Sequence, residues 1–298
     1  MTEIAGRIAV VTGGGSGIGA GLARALAREG AAVAVADIIA DNAEAVASEI
    51  RGDSGKAIAV PCDVCERDSI AAMREEVTAR LGTATLVFAN AGATSFDPLI
   101  EMSDDDVDWI LQVNLHGVTN TARAFLPAMI EAGDGGHICA TASMAGLLPG
   151  WIPTHVPYSA AKMGIIGLMM NLGLELAPHR IATTSYCPGG VASGMAQGNA
   201  RYRPARFGGP LDTELHISEK SSEVAASHDF FTPDAVAPMV LAAVRADRKF
   251  VFDHPDQRQR FRETYARVVE ACYDAADAWF DENGTPEVNS RGPQLAVT

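Results

Sequence analysis

Tyr158 and Lys162 stand four residues apart in the stretch PYSAAKMG. Four residues complete about one helical turn, so a phenol and an ammonium at this spacing share a face and can act on the same atom. A free phenol loses its proton near pH 10 and is a weak base at neutrality, whereas positive charge beside it favours the phenolate. The chain has 19 arginines but only four lysines, at positions 56, 162, 220 and 249, and Lys162 lies among Ala, Met, Gly and Ile. A long ammonium in that setting is costly unless it is partnered. The pair reads as acid/base chemistry; the plainer alternative is a snorkelling lysine beside a packing tyrosine. Ser143 closes the apolar run HICATAS, and its hydroxyl can donate to an oxygen on which charge develops.

A second set of residues suits a phosphate ligand. The run RIAVVT leads into TGGGSGIGAG and then into a helical pattern. In this loop, which also contains Ser16 and Ile18, Gly13, Gly17 and Gly19 remove side chains. They do so where the turn is tight, where backbone must approach a pyrophosphate, and where helix packs on strand. The helix N-terminus adds free N–H groups and a positive dipole end. Asp37 ends the next strand, eighteen positions beyond Gly19. A carboxylate there accepts from both adenosine ribose hydroxyls and repels a 2′-phosphate, so NAD rather than NADP is the expected cofactor. Asp41 is the expected cap of the following helix.

The elements that must position these groups alternate along the chain. Short apolar runs (RIAVVT, AAVAVAD, AIAVPCD, TLVFANAG, GHICATAS, IATTSYCPGG) alternate with longer helical patterns such as GIGAGLARALAREG. This is the βαβ rhythm of a parallel sheet covered on both faces, an α/β fold. No linker or compositional shift divides the 298 residues, so a single domain over 1–298 is expected. Residues 193–232 are too long and mixed for an ordinary loop and read as a substrate lid. Residues 253–298 form a C-terminal extension, where Phe261, Tyr265, Val268, Val269, Cys272 and Trp279 recur at helical spacing and suggest core or subunit packing. The last dozen residues are expected to fray.

With 37 acidic against 23 basic residues, the formal charge of −14 repels nucleic acid and anionic bilayers alike. The stretch MTEIAGRIAVVTGGG carries no basic leader and no apolar run has the length of a membrane span, so a soluble cytoplasmic protein is expected. Five scattered cysteines fit reduced thiols better than a disulfide framework. Cys62 and Cys65 form a CxxC, but no second pair stands at zinc spacing, and no metal is expected.

Taken together, TGGGSGIG, the NAG at 90–92, Ser143 and the Tyr158–Lys162 pair resemble the short-chain dehydrogenase/reductase family over roughly residues 5 to 252. The resemblance implies a Rossmann-type, doubly wound parallel sheet of about seven strands, and a homodimer or homotetramer assembled through helices around 104–131 and 156–177. It implies that Tyr158 exchanges the alcohol proton while hydride passes to nicotinamide, that Lys162 also holds the nicotinamide ribose, and that Ser143 meets the substrate oxygen. Asn114, in ILQVNLHG, matches the family asparagine that holds a helix bend and a water leading to the lysine. Asp63 and Val64 match the pair near adenine, and Asn90, Ala91 and Gly92 the segment beside the adenosine ribose. Pro188, Gly189 and Val191 match the stretch that receives the carboxamide. Ser193 stands where threonine is common, and Ala89 where a second asparagine is common, a change expected to affect packing only.

The pocket is expected to form from Ser95, Phe96, Met144, Leu147, Leu148, Trp151, His155 and Met195, which are mostly apolar or aromatic. Such a lining favours a hydrophobic or aryl secondary alcohol, or its ketone, over a sugar. The segments DDDVDWILQVNLHGV, RYRPARFG and the tail after FVFDHP are similar to the Cα-dehydrogenases that oxidise the benzylic alcohol of lignin-derived β-aryl ethers. Arg201, Arg203 and Arg206 either order the lid against acidic neighbours, meet an anionic substrate group, or sit solvated. The alternatives carried are a hydroxysteroid or 3-hydroxyacyl dehydrogenase on the same scaffold, and a sensor that binds NAD without turnover.

Overall fold

Each of the six apolar runs contains a strand, β1 Ile8–Thr12, β2 Ala32–Asp37, β3 Lys56–Pro61, β4 Leu86–Ala89, β5 Gly136–Thr141 and β6 Ile181–Cys187, and a short seventh, β7 Phe250–Phe252, follows. In the computed structural model, which describes residues 1–94, 96–148, 150, 153–193, 195, 199–210 and 230–286, they form one parallel sheet in the order β3-β2-β1-β4-β5-β6-β7. β4 and β5 are buried at every position, which explains why they read as unbroken apolar or small-residue runs rather than as alternating ones. The strand order reverses between β1 and β4, and such a switch opens a crevice at the carboxyl ends of the strands.

Helices follow the strands: α1 Gly17–Arg28, α2 Ala40–Gly52, α3 Arg67–Arg80, α4 Asp104–Leu111, α5 Gly117–Ala132, α6 Val156–Glu175 and α7 Pro233–Arg245; of these, α1, α4 and α6 carry residues that line the crevice. Ser103 starts α4 with a capping box: its side chain accepts from the Asp106 N–H, while the Asp106 carboxylate accepts from the Ser103 N–H at 2.8 Å. α4 then runs through a π-helical turn, Gln112–His116, into α5, and this turn contains Asn114. The expected cap of α2 needs correction. Ile39 is the N-cap, and Asp41 lies inside the first turn, where its charge faces the positive helix end without a capping bond.

Contacts group the chain into two compact units, Met1–Pro255 and Asp256–Thr298. In the second, α8 Arg258–Phe261, a π-helical turn Arg262–Ala266 and α9 Arg267–Asn283 follow one another, and the Phe261 and Tyr265 rings stack at 5.8 Å. The last dozen residues, 287–298, lie outside the described residues. Among the described residues, no helix is long and apolar enough to cross a membrane, and no cluster of His, Cys, Asp and Glu could hold a metal ion.

Candidate active site

The cradle begins with a knot at the strand ends. The Asn90 N–H donates to Thr12 Oγ1 at 3.0 Å, Asn90 Nδ2 donates to the Thr12 carbonyl at 3.1 Å, and Thr141 Oγ1 donates to Asn90 Oδ1 at 3.0 Å. These bonds tie β1, β4 and β5 together at the switch point. Gly13 has φ of +62°, and a Cβ there would lie 2.9 Å from Ala91 Cα; Gly17 has φ of +49°, and its Cβ would lie 2.8 Å from the Ser193 carbonyl. Only glycine tolerates both the left-handed backbone and this proximity. Gly19 packs against the Gly13 carbonyl, closing the loop from behind. Asp37 is buried; its Oδ2 accepts the Gly15 N–H at 2.9 Å and its Oδ1 the Ile39 N–H at 3.0 Å. Burial raises its pKa, and these backbone donors oppose the rise.

α6 carries both members of the expected acid/base pair. Tyr158 is 7% exposed and Lys162 1% exposed, with Lys162 Nζ 5.3 Å from the Tyr158 ring centre. Nζ donates to the Thr141 carbonyl at 2.7 Å. Burial pushes the Tyr158 phenol up to about 12, opposed by a hydrogen bond with Ser143. Burial also pulls the Lys162 ammonium down to about 7. Desolvation is the largest cause of both shifts, because both side chains have lost water that would solvate their charged forms. Ser143 Oγ also accepts the Ala145 N–H at 3.1 Å. Asn114 is fully buried; its Nδ2 donates to the Ala93 and Ile110 carbonyls at 2.7 and 2.8 Å, while its Oδ1 has no hydrogen-bond partner among the described residues. A Cβ at Gly92 would stand 2.9 Å from that oxygen and 3.5 Å from Lys162 Nζ.

A cavity of about 820 Å³ joins these parts. Of the residues expected to hold cofactor, Ser16, Ile18, Asp37, Asp63, Val64, Pro188, Gly189, Val191 and Ser193 line it together with Gly13, Gly17 and the 90–92 segment, as do Ser143, Tyr158 and Lys162. Gly19 and Asn114 stand behind this lining. Among the expected pocket residues, Phe96, His155 and Met195 line the cavity. Met144 and Leu148 do not: each is at least 96% buried, turned into the packing beside the 3₁₀ turn Met144–Gly146. Ser95 and Trp151 lie outside the described residues. His155 stacks between Phe96 and Tyr158, with both ring separations 4.7 Å, and bonds Thr94 Oγ1 through Nε2 at 2.7 Å. Burial pulls its pKa down to about 4, so the ring is neutral at physiological pH. Trp109, Val113, Tyr202, Pro204 and Phe230 complete the wall, and none was anticipated. Trp109 fits the helical pattern of DDDVDWIL but carries no motif that separates a pocket wall from a core position.

Arginines of the expected lid segment pair with acids. Arg203 pairs with Asp106 and lies over the Trp109 ring at 5.4 Å, and Arg206 reaches Asp63 at 2.9 Å and Glu66 at 3.2 Å. Residues 211–229 of the expected lid lie outside the described residues.

Asp253, after β7, was also missed. It is 2% exposed, accepting the Tyr186 hydroxyl at 2.7 Å on one oxygen and the Gly189 N–H at 2.7 Å on the other, beside His254 Nδ1. His254 packs on Phe231, whose backbone pairs with Gly190 and Ala192. One carboxylate thus ties the 188–193 loop to β6 and, through His254, to Phe231. Asp253→Ala would leave a buried hydroxyl and N–H without their acceptor. Its unfolding free energy in urea should fall by about 2–5 kcal/mol, whereas an unchanged value would show the bonds to be incidental.

The sequence matches short chain dehydrogenase over residues 7–203. It is 30% identical over 276 residues to the C alpha-dehydrogenase of Sphingobium sp. strain SYK-6, covering 91% of this chain and 88% of that protein. It is 35% identical over 217 residues to (−)-trans-carveol dehydrogenase of Rhodococcus erythropolis, covering 68% and 77%. A short chain dehydrogenase/reductase from Burkholderia phymatum, solved in complex with NAD, superposes with a TM-score of 0.80 at 27% identity, covering 97% of this chain and 99% of that one. With a glycine cradle at the sheet's switch point and Ser143, Tyr158 and Lys162 on one cavity, this chain belongs to the short chain dehydrogenase family, oxidoreductases of alcohols and ketones.

Proposed function

We propose that this protein is an NAD-dependent dehydrogenase interconverting a bulky aryl or otherwise hydrophobic secondary alcohol and its ketone, with the benzylic Cα-alcohol of a lignin-type aryl ether as the best-fitting substrate. The observation that carries this reading is the wall of Phe96, Trp109, His155, Met195, Tyr202 and Phe230, continuous through Tyr158 with the nucleotide cradle. Aromatic and thioether surfaces gain by desolvating an aryl group and offer little to a sugar. The similarity to a C alpha-dehydrogenase over nine-tenths of the chain supports the same substrate class.

The residues suit NAD. Asp37 faces the cavity with both oxygens held by backbone donors, which leaves lone pairs for ribose hydroxyls and keeps negative charge where a 2′-phosphate would stand. NAD supplies the hydride acceptor, and NADH the donor in reverse. Tyr158 Oη takes the alcohol proton, or returns it to the ketone oxygen. Ser143 donates a hydrogen bond to that oxygen as charge grows on it. Lys162 and the positive charge of oxidised nicotinamide favour the phenolate against the cost of burial. Asn114 Oδ1, Gly92 and Lys162 Nζ bound the space where a water can meet the lysine.

The reading is of one catalytic domain with residues 193–232 as its lid and 253–298 as an extension. A cytoplasmic setting accords with five free cysteines. Assembly as a homodimer or homotetramer through 104–131 and 156–177 accords with exposed Met163, Met170 and Leu174 along α6.

The test is NADH formation from a panel of benzylic aryl-ether alcohols, simple aliphatic alcohols, hydroxysteroids and 3-hydroxyacyl thioesters. The aryl alcohols should give the highest kcat/KM; selective turnover of steroids or thioesters would replace the substrate, and silence throughout would favour a sensor. Tyr158→Phe should bind NAD as the wild type does yet lose about 10²–10⁴-fold in turnover. Full activity in that variant would remove the proton-transfer role.

A further inference from the structure

The segment after Pro255 contains a helix whose apolar side is exposed among the described residues. No residue of α9 is buried, and Val268, Val269, Tyr273, Trp279 and Phe280 are each 38–67% exposed. On a helix, Val268, Cys272, Ala275 and Trp279 form one row and Val269, Tyr273, Ala276 and Phe280 the adjacent row, while Glu270, Asp274, Asp277 and Asp281 fall on the opposite side. A helix of this length is marginal in water without a packed face, and a contiguous apolar stripe rimmed by acids marks a surface of association.

The charge along the segment identifies the partner. Residues 258–267 carry four arginines and one glutamate, a net +3, whereas residues 268–283 carry five acidic residues and no basic one, a net −5. A parallel pair of such helices would set acid against acid. An antiparallel pair sets each basic end beside the other's acidic end, and the same patch then serves both partners, as a twofold axis requires. We propose that α9 pairs antiparallel with α9 of a second copy of this chain, its apolar stripe forming the seam and the twofold axis passing close to Cys272. This interface is separate from the one expected along α5 and α6, and it does not depend on the reading of the active site.

Cys272 serves as a reporter because it is an exposed free thiol. Mild oxidation of the full-length protein should give a covalent dimer that Cys272→Ser abolishes. In the Cys272→Ser background, Val268→Cys and Ala276→Cys should each fail to cross-link alone, since eight residues at 1.5 Å of rise place like positions about 12 Å apart across the axis. They should cross-link once the two variants are mixed and subunits exchange, because unlike positions then meet within disulfide range. Phe280→Glu should halve the mass measured by light scattering and leave turnover unchanged. The proposal is overturned if Cys272 reacts freely with a thiol reagent yet never cross-links, or if either single cysteine variant links with itself. It is equally overturned if Phe280→Glu lowers the melting temperature with no change in mass, for the stripe would then pack on its own chain.

Discussion

A lysine ammonium with 1% of its surface exposed must be compensated within the protein, and much of the site follows from that requirement. The Thr141 carbonyl supplies one partner to Lys162, but burial still pulls its pKa to about 7 and pushes the neighbouring Tyr158 phenol up to about 12. Neither group holds its charge easily in isolation. Under the proposed function, Tyr158 and Lys162 would share the positive charge of a bound nicotinamide, and proton transfer at Tyr158 would then depend on an occupied cradle.

The surrounding structure keeps this arrangement closed. Asn90 joins β1, β4 and β5 where the strand order reverses, which fixes the cradle relative to Thr141 and therefore to Lys162. The π-helical turn at Gln112–His116 directs Asn114 Nδ2 onto the Ala93 carbonyl and leaves its oxygen against Gly92, which Lys162 Nζ also approaches. Asp253 holds the opposite wall by bonding Gly189 and Tyr186 together, and Arg203 and Arg206 hold the near edge of the lid against Asp106 and Asp63. These ties are rigid over a few residues each, which suits a site that must hold a phenol, a hydroxyl and a ring in register.

The parts legible in the sequence were those whose chemistry repeats at fixed local spacing. Six of the seven strands stood out as apolar runs, most clearly where burial on both faces removes alternation; β7, three residues long with one end exposed, carried no such run. Gly13 and Gly17 were readable because no other residue satisfies both their φ and their contacts. Tyr158 and Lys162 were readable from a single helical turn. The cavity wall was less legible, because Trp109, Tyr202 and Phe230 meet only through tertiary packing, and apolar side chains at positions such as Met144 and Leu148 look the same whether they face substrate or core. Asp253 was missed for the same reason: its partners, Tyr186 and Gly189, lie more than sixty residues away in sequence. Asp41 was misassigned as a cap because α2 begins one residue before it, and Asp37 instead accepts the Ile39 N–H at the helix start.

The most direct test of the coupled Tyr158–Lys162 pair is the pH dependence of kcat/KM for alcohol oxidation in the wild type and in Lys162→Met. Oxidation needs the phenolate, so kcat/KM should rise with pH through one ionisation. Removing the lysine charge disfavours the phenolate, so the same ionisation should move to higher pH in Lys162→Met. A profile that the substitution leaves unchanged, or moves to lower pH, would contradict the account.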